Sequence, residues 1–175
     1  MILVIMGGTN SGKNYFSKKC EKYGFERVIT NTTRPRRKDD KENAYHFLTK
    51  EEFMEKLEKG LMLEYTKYND NYYGVSIDSL SKNCVVILDP NGYRVLKEKL
   101  GSQVYGIFLD IPEEVRFNRG LARGDDISTL VKRLEEDKLL FTDAFKKSVS
   151  FVVSEKMEQD ADELLKSNII LFYTD

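Results

Sequence analysis

The sequence predicts an α/β fold: a parallel sheet with helices on both faces, carrying one inserted region and a lid. Three observations lead there. The apolar run Ile2–Met6 ends abruptly at two glycines, the pattern of a buried strand that turns sharply. Further β-rich runs at Arg27–Thr30, Val85–Leu88, Val104–Leu109 and Phe151–Val153 are interleaved with helical patterns. Such alternation packs as a parallel sheet buried on both faces. Finally, residues 31–83 break that rhythm.

Taken in chain order, the first helix runs from about Lys13 to Tyr23, directly after the glycine turn. Later helical patterns lie near 50–59, 91–99, 112–121, 127–147 and 158–167. Residues 31–83 are rich in Tyr, Asn, Lys and Asp and contain one amphipathic helix, KEEFMEKLEKG, so they read as an insertion mounted on the sheet's edge. The stretch NRGLARGDDISTLVKR, 118–133, is charged, holds two glycines and reads as an irregular, mobile lid. The expected organisation is a single domain, 1–175, with core segments 1–30, 84–117 and 134–175, an insertion at 31–83 and a lid at 118–133. No internal repeat or low-complexity tract interrupts it.

Length and composition bound the function. A chain of 175 residues buries a sizeable core without staples. With 41% hydrophobic and 33% charged residues and a formal net charge of −1, it lacks the basic excess of a general nucleic-acid or membrane-surface binder. Cys20 and Cys84 have no CxxC or Cys/His neighbour, so they are expected as free, buried thiols and not as a disulfide or zinc site. The N-terminal apolar run is too short for a signal peptide or a span, and a cytoplasmic location is expected.

The stretch ILVIMGGTNSGKNYF carries the first chemical motif. Gly7, Gly12 and Lys13 satisfy GxxxxGK, between an expected strand and an expected helix. In such a P-loop the backbone N–H groups turn inward around phosphate oxygens and the helix N-terminus adds partial positive charge. The residues expected to hold ATP are Gly7, Gly8, Thr9, Asn10, Ser11, Gly12, Lys13 and Asn14, with Lys13 neutralising the outer phosphates. Asn14 stands where the usual loop has a hydroxyl for Mg²⁺. Its carbonyl can ligate that ion, so altered metal handling is expected without loss of nucleotide binding. Asp89 ends the run CVVILD. At the C-terminal end of a parallel strand beside the loop, it is a second magnesium candidate; the alternative is a cap for the next turn.

Two further stretches, TNTTRPRRKDDKENAYHF and LEYTKYNDNYYG, complete the picture. Together with the P-loop they resemble guanylate kinase, the family that moves the γ-phosphate of ATP to GMP. TTRxxR matches at Thr32–Arg37, the tyrosine with an aromatic two residues on matches at Tyr45 and Phe47, and NYYG matches at Asn71–Gly74. The resemblance runs over nearly the whole chain and implies a P-loop NTPase-type sheet in which 31–83 binds the nucleoside monophosphate.

It places Arg34, Arg37, Tyr45 and Tyr73 around the acceptor phosphate, where guanidinium forks and phenol hydroxyls make a cage. Glu64 corresponds to the family's guanine-reading glutamate and Thr30 to a serine that approaches the base from the other side. A carboxylate accepts guanine N1–H and N2–H₂ together but repels the N1 acceptor of adenine. Arg119, Arg123 and Arg133 correspond to catalytic arginines of the lid and of the helix after it.

The implied reaction makes GDP and ADP from GMP, and by extension dGMP, with Mg²⁺ as cofactor and no general base. Small nucleotides are the implied partners, without nucleic acid or membrane, and the chain is expected as a monomer or homodimer. Val75 and Asn91 depart from the family pattern on the acceptor side. They keep open a related kinase with another monophosphate acceptor. A non-catalytic phosphopeptide-binding module of the same fold is the other alternative, although such modules typically have a ruined P-loop.

Overall fold

The computed structural model describes residues 1–38, 40–68, 70–156 and 165–166. Its main sheet has five strands in the order β2-β7-β1-β8-β9: β1 (Ile2–Gly7), β2 (Glu26–Arg27), β7 (Cys84–Ile87), β8 (Val104–Asp110) and β9 (Phe151–Ser154). Every pairing in it is parallel, with β1 at the centre between β7 and β8.

Because successive side chains of a strand point to opposite faces, each apolar run supplies two cores. Leu3, Ile5, Val85, Ile107 and Leu109 face one side, where Phe16 and Cys20 of α1 (Lys13–Lys22) cover them. Ile2, Val4, Met6, Val86 and Phe108 face the other, against Tyr93 and Leu96 of α3 (Pro90–Leu100) and Phe145 of α6 (Asp143–Ser148). Phe16 is wholly buried, a contribution of about 2–3 kcal/mol. Both cysteines are free and buried, as expected.

Residues 31–83 leave the sheet at its β2 edge and build a second, mixed sheet in the order β4-β3-β6-β5. Its strands are β3 (Asn31–Thr32), β4 (His46–Phe47), β5 (Met62–Tyr68) and β6 (Asn71–Ser76). The amphipathic helix is α2 (Lys50–Glu58), closed at its start by a reciprocal capping box between Thr49 and Glu52.

The stretch expected as an irregular lid is mostly helical, in keeping with the helical patterns at 112–121 and 127–147. α4 (Glu113–Arg123) and α5 (Ile127–Leu140) meet at a tight turn, with Gly124 in the left-handed conformation that ends α4 and Asp126 capping α5 through Thr129 N–H (2.8 Å). The helix expected over 127–147 is divided: α5 stops at Leu140, and Thr142 caps the separate α6. The helix expected at 158–167 lies outside the described residues except for 165–166. Among the described residues no helix is long and apolar enough to cross a membrane.

Candidate active site

The glycine turn lies between β1 and α1. Gly12 takes a left-handed conformation (φ 91°) as the residue before α1, which glycine adopts without cost. Gly12, at the N-cap, has no side chain with which to cap α1. Its first N–H groups therefore face the turn as an anion seat.

Lys13 folds back over the loop and donates from Nζ to the carbonyls of Gly7 (2.7 Å) and Gly8 (2.8 Å). Burial lowers its pKa to about 8; the negative charge of Asp137 works against that shift and Arg116 reinforces it. The outer rim of the loop is tied to α4 and α5. Asp137 Oδ2 accepts from Thr9 N–H (2.6 Å) and from Arg116 Nη1 (2.6 Å), Asn10 donates to the Arg116 carbonyl (3.2 Å), and Arg119 donates to the Asn10 carbonyl (3.4 Å).

A cavity of about 670 Å³ opens from this loop toward the second sheet. Lys13 and Asn14 line one end, Thr30, Tyr45, Glu64 and Tyr73 the other, and Asp89 lies on the same wall. Thr66 and Tyr68 follow Glu64 along β5 at a period of two and line the cavity with it, as does Lys67 between them.

Glu64 is only 6% exposed and accepts from Val75 N–H through Oε1 (3.0 Å). Burial, and secondly the neighbouring charge of Asp89, push its pKa up to about 7. Gly92 stands so close that an added Cβ would meet Glu64 Oε2 at 2.9 Å. Asp89 is the N-cap of α3, with Oδ1 accepting from Gly92 N–H (2.7 Å).

Arg34 lies behind the tyrosines. Its guanidinium carbon is 5.5 Å from the Tyr45 ring centre, Tyr45 and Tyr73 meet edge to face, and Arg34 Nη2 pairs with Asp40 (2.9 Å). Arg37 gives its main-chain N–H to the same carboxylate (2.7 Å) while its side chain is exposed.

Comparison with known proteins identifies the lineage. The family model described as guanylate kinase matches residues 1–168. The chain belongs to the guanylate kinase family. Curated guanylate kinases include one from Lactiplantibacillus plantarum, 32% identical over 146 residues (77% of this chain, 70% of that protein), and one from Wolinella succinogenes, 33% identical over 144 residues (76% and 67%). MAGUK p55 subfamily member 7 of Danio rerio is 29% identical over 79% of this chain, which spans 27% of that protein. The crystal structure of guanylate kinase from Anaplasma phagocytophilum shares the fold at a TM-score of 0.61 and 21% identity, covering 98% of this chain and 85% of its own.

Of the expected site residues, Gly8, Asn10, Ser11 and Gly12 belong to the loop without lining the cavity, and the rest fall into two groups. Gly7, Thr9, Lys13, Asn14, Thr30, Tyr45, Glu64, Tyr73 and Asp89 line one cavity. The arginines stand outside that lining: Arg34 and Arg37 share Asp40, Arg123 is exposed and bound to Asp125, Arg119 reaches the loop rim, and Arg133 is half-buried on α5.

The two departures on the acceptor side also acquire a place. Val75 sends its side chain into the core and its N–H to Glu64, and Asn91 is exposed in the first turn of α3. Besides Arg116, two contributors escaped the sequence reading. Thr66 was legible from the alternation that starts at Glu64. Asp137 had only the weak signal of standing four residues after Arg133, on the same face of α5.

Proposed function

We propose that this family member transfers the γ-phosphoryl group of ATP to GMP, and to dGMP, giving ADP and GDP. One observation carries the reading: a single cavity is lined by the P-loop lysine at one end and by the carboxylate and phenol groups of the second sheet at the other.

The acceptor phosphate is ionised at neutral pH and needs no base, so the protein's work is positioning and charge neutralisation. In this reading Lys13 and the loop amides of Gly7–Asn14 hold the donor phosphates. Arg34, Arg37, Tyr45 and Tyr73 hold the acceptor phosphate, and release of Asp40 frees the Arg34 fork. Glu64 accepts from guanine N1–H and N2–H₂, and Thr30 donates to O6. Arg119, Arg123 and Arg133 bring positive charge to the transferred group as α4 and α5 approach.

Asn14 and Asp89 share the cavity wall and offer the oxygen donors that Mg²⁺ prefers, so they are the residues that would hold it. Bound there, the ion would neutralise charge between the outer phosphates.

The test is a coupled assay of ADP release with ATP, Mg²⁺ or Mn²⁺, and GMP, dGMP, AMP, UMP or CMP in turn. GMP and dGMP should stimulate release, Lys13→Ala should abolish it, and Asn14→Ser should raise the rate with Mg²⁺. Stimulation by a different monophosphate would reassign the acceptor. The likeness to a MAGUK p55 protein supports one rival, a phosphate-gripping module without turnover. GMP binding with no ADP release under either metal would favour it and overturn the kinase.

A further inference from the structure

Among the described residues, the Arg116–Asp137 pair is the one buried ion pair that touches the P-loop. Both residues are 9% exposed. The Arg116 guanidinium is fixed from three sides: Nε donates to the Ile111 carbonyl (3.1 Å), and Nη1 donates to Asp137 Oδ2 (2.6 Å) and to the Thr9 carbonyl (3.3 Å). The same Asp137 oxygen accepts from the Thr9 N–H (2.6 Å). Both groups crowd Gly8, where a methyl would collide with the guanidinium and the carboxylate. Asp137 also lines the cavity that holds Lys13 and Asn14.

A carboxylate bound by a P-loop amide and an arginine, within electrostatic reach of the P-loop lysine, has the surroundings that a phosphate oxygen would seek. We propose that Arg116 belongs to the donor phosphate site and that Asp137 is a built-in anion holding that seat until a triphosphate displaces it. The exchange preserves charge balance. Arg116 stays beside Thr9 and trades a carboxylate for a phosphate oxygen, so a buried guanidinium is never left without a counter-ion, which would be strongly unfavourable. Asp137 leaves with the face of α5 toward bulk water. The proposal rests on the reading that the loop binds a triphosphate, and it adds an arginine that the motif does not name.

The experiment measures calorimetric binding of ATP, inorganic tripolyphosphate and adenosine to the whole chain and to two variants. Asp137→Asn keeps an acceptor for Thr9 but removes the competing charge, and should tighten ATP and tripolyphosphate by about tenfold or more while leaving adenosine unchanged. Arg116→Gln should weaken ATP and tripolyphosphate by a similar factor. Opposite signs from the two halves of one ion pair distinguish an exchangeable anion from a structural clamp, whose loss from either side would weaken binding. Equal ATP affinity in all three proteins, or weakening in both variants, overturns the proposal. Absence of ATP binding in all three overturns the donor-site reading on which it rests. If a variant does not fold, the ¹³C resonance of the Asp137 carboxyl in the unaltered protein serves instead: tripolyphosphate should shift it, and an unmoved signal at saturation overturns the proposal.

Discussion

Glu64→Gln should make the empty protein more stable and a worse binder of GMP, and the size of the first effect follows from the burial of one carboxyl. Glu64 is 6% exposed, and the hydrogen bond to Oε1 comes from Val75 N–H. Its pKa rises from 4.5 to about 7, first through burial and then through the charge of Asp89. Between about pH 4.5 and 7 the folded chain keeps a proton that the unfolded chain has shed. This group's contribution to stability therefore falls as pH rises through that window, and the full penalty stands above it. At ~1.4 kcal/mol per pH unit the penalty is about 3 kcal/mol at pH 8 and about 1 kcal/mol at pH 5.

Glutamine retains an oxygen for Val75 N–H and carries no charge, so it escapes the penalty at both values. For a chain of this size each kcal/mol moves Tm by roughly 2–4 °C. The variant should melt roughly 6–12 °C above the parent at pH 8, with the gap shrinking to about a third at pH 5. Paired thermal melts followed by circular dichroism read this directly. A gap that does not change with pH, or a variant less stable than the parent at pH 8, would refute the reasoning. The binding arm follows from the proposed guanine contact: hydrogen bonds to a charged group are worth ~1.5–3 kcal/mol each, so GMP should bind at least about tenfold more weakly to the variant.

Other expectations rest on the same geometry. Burial lowers the Lys13 pKa to about 8, and a bound triphosphate favours its charged form. ATP affinity measured by calorimetry should thus weaken as pH rises from 7 through 9, and a flat profile would refute that. Gly8→Ala places a methyl against Arg116 and Asp137, so it should lower ATP affinity by about tenfold or more while circular dichroism stays that of the parent. Thr142 caps α6 through Phe145 N–H (3.2 Å) and does not itself line the cavity. Thr142→Ala should cost about 1 kcal/mol, a Tm decrease of roughly 2–4 °C, without changing turnover.

The main sheet was legible because its strands are buried on both faces, so Ile2–Met6, Val85–Leu88 and Val104–Leu109 stand out as unbroken apolar runs. The strand expected at Arg27–Thr30 lies slightly earlier in the structure. The pairing with β7 begins at Glu26, and by Thr30 the main chain already accepts from His46 in the second sheet. β3 and β4 are two-residue strands with no periodicity to read; the sheet around them makes them strands.

The 118–133 stretch looks more irregular in sequence than it is, for a specific reason. Its charges are those of an exposed helical face, and Gly120 is a packing glycine, since an added Cβ would meet Asn10 and Leu130 at 2.6 Å. Only Gly124, with φ 85°, breaks the chain there. Asp137 was missed because a carboxylate in the middle of a charged helix reads as a solvated side chain. Its meaning comes from a contact 128 residues away in sequence.

A common logic connects the two ends of the cavity. In the proposed reading, Asp40 at the acceptor end accepts from Arg34 and from the Arg37 main chain, and Asp137 at the donor end accepts from Arg116 and from the Thr9 main chain. Each arrangement joins a guanidinium and a backbone N–H to one carboxylate, the donors that a phosphate oxygen would use. The closure distances differ. Asp40 lies 6 residues from Arg34, within one loop, whereas Asp137 lies 21 from Arg116 and belongs to a different helix. Displacing the first carboxylate rearranges a local turn, while displacing the second shifts α5, the helix that carries Arg133. On the proposed function, Asp40→Asn should tighten GMP with little effect on ATP, and Asp137→Asn the reverse. Because the sites share no residue of these pairs, the two effects should add in the double variant to within about 0.5 kcal/mol. Calorimetry with each nucleotide alone would measure both, and a large coupling between them would show that the carboxylates act as one network and not as two independent stand-ins.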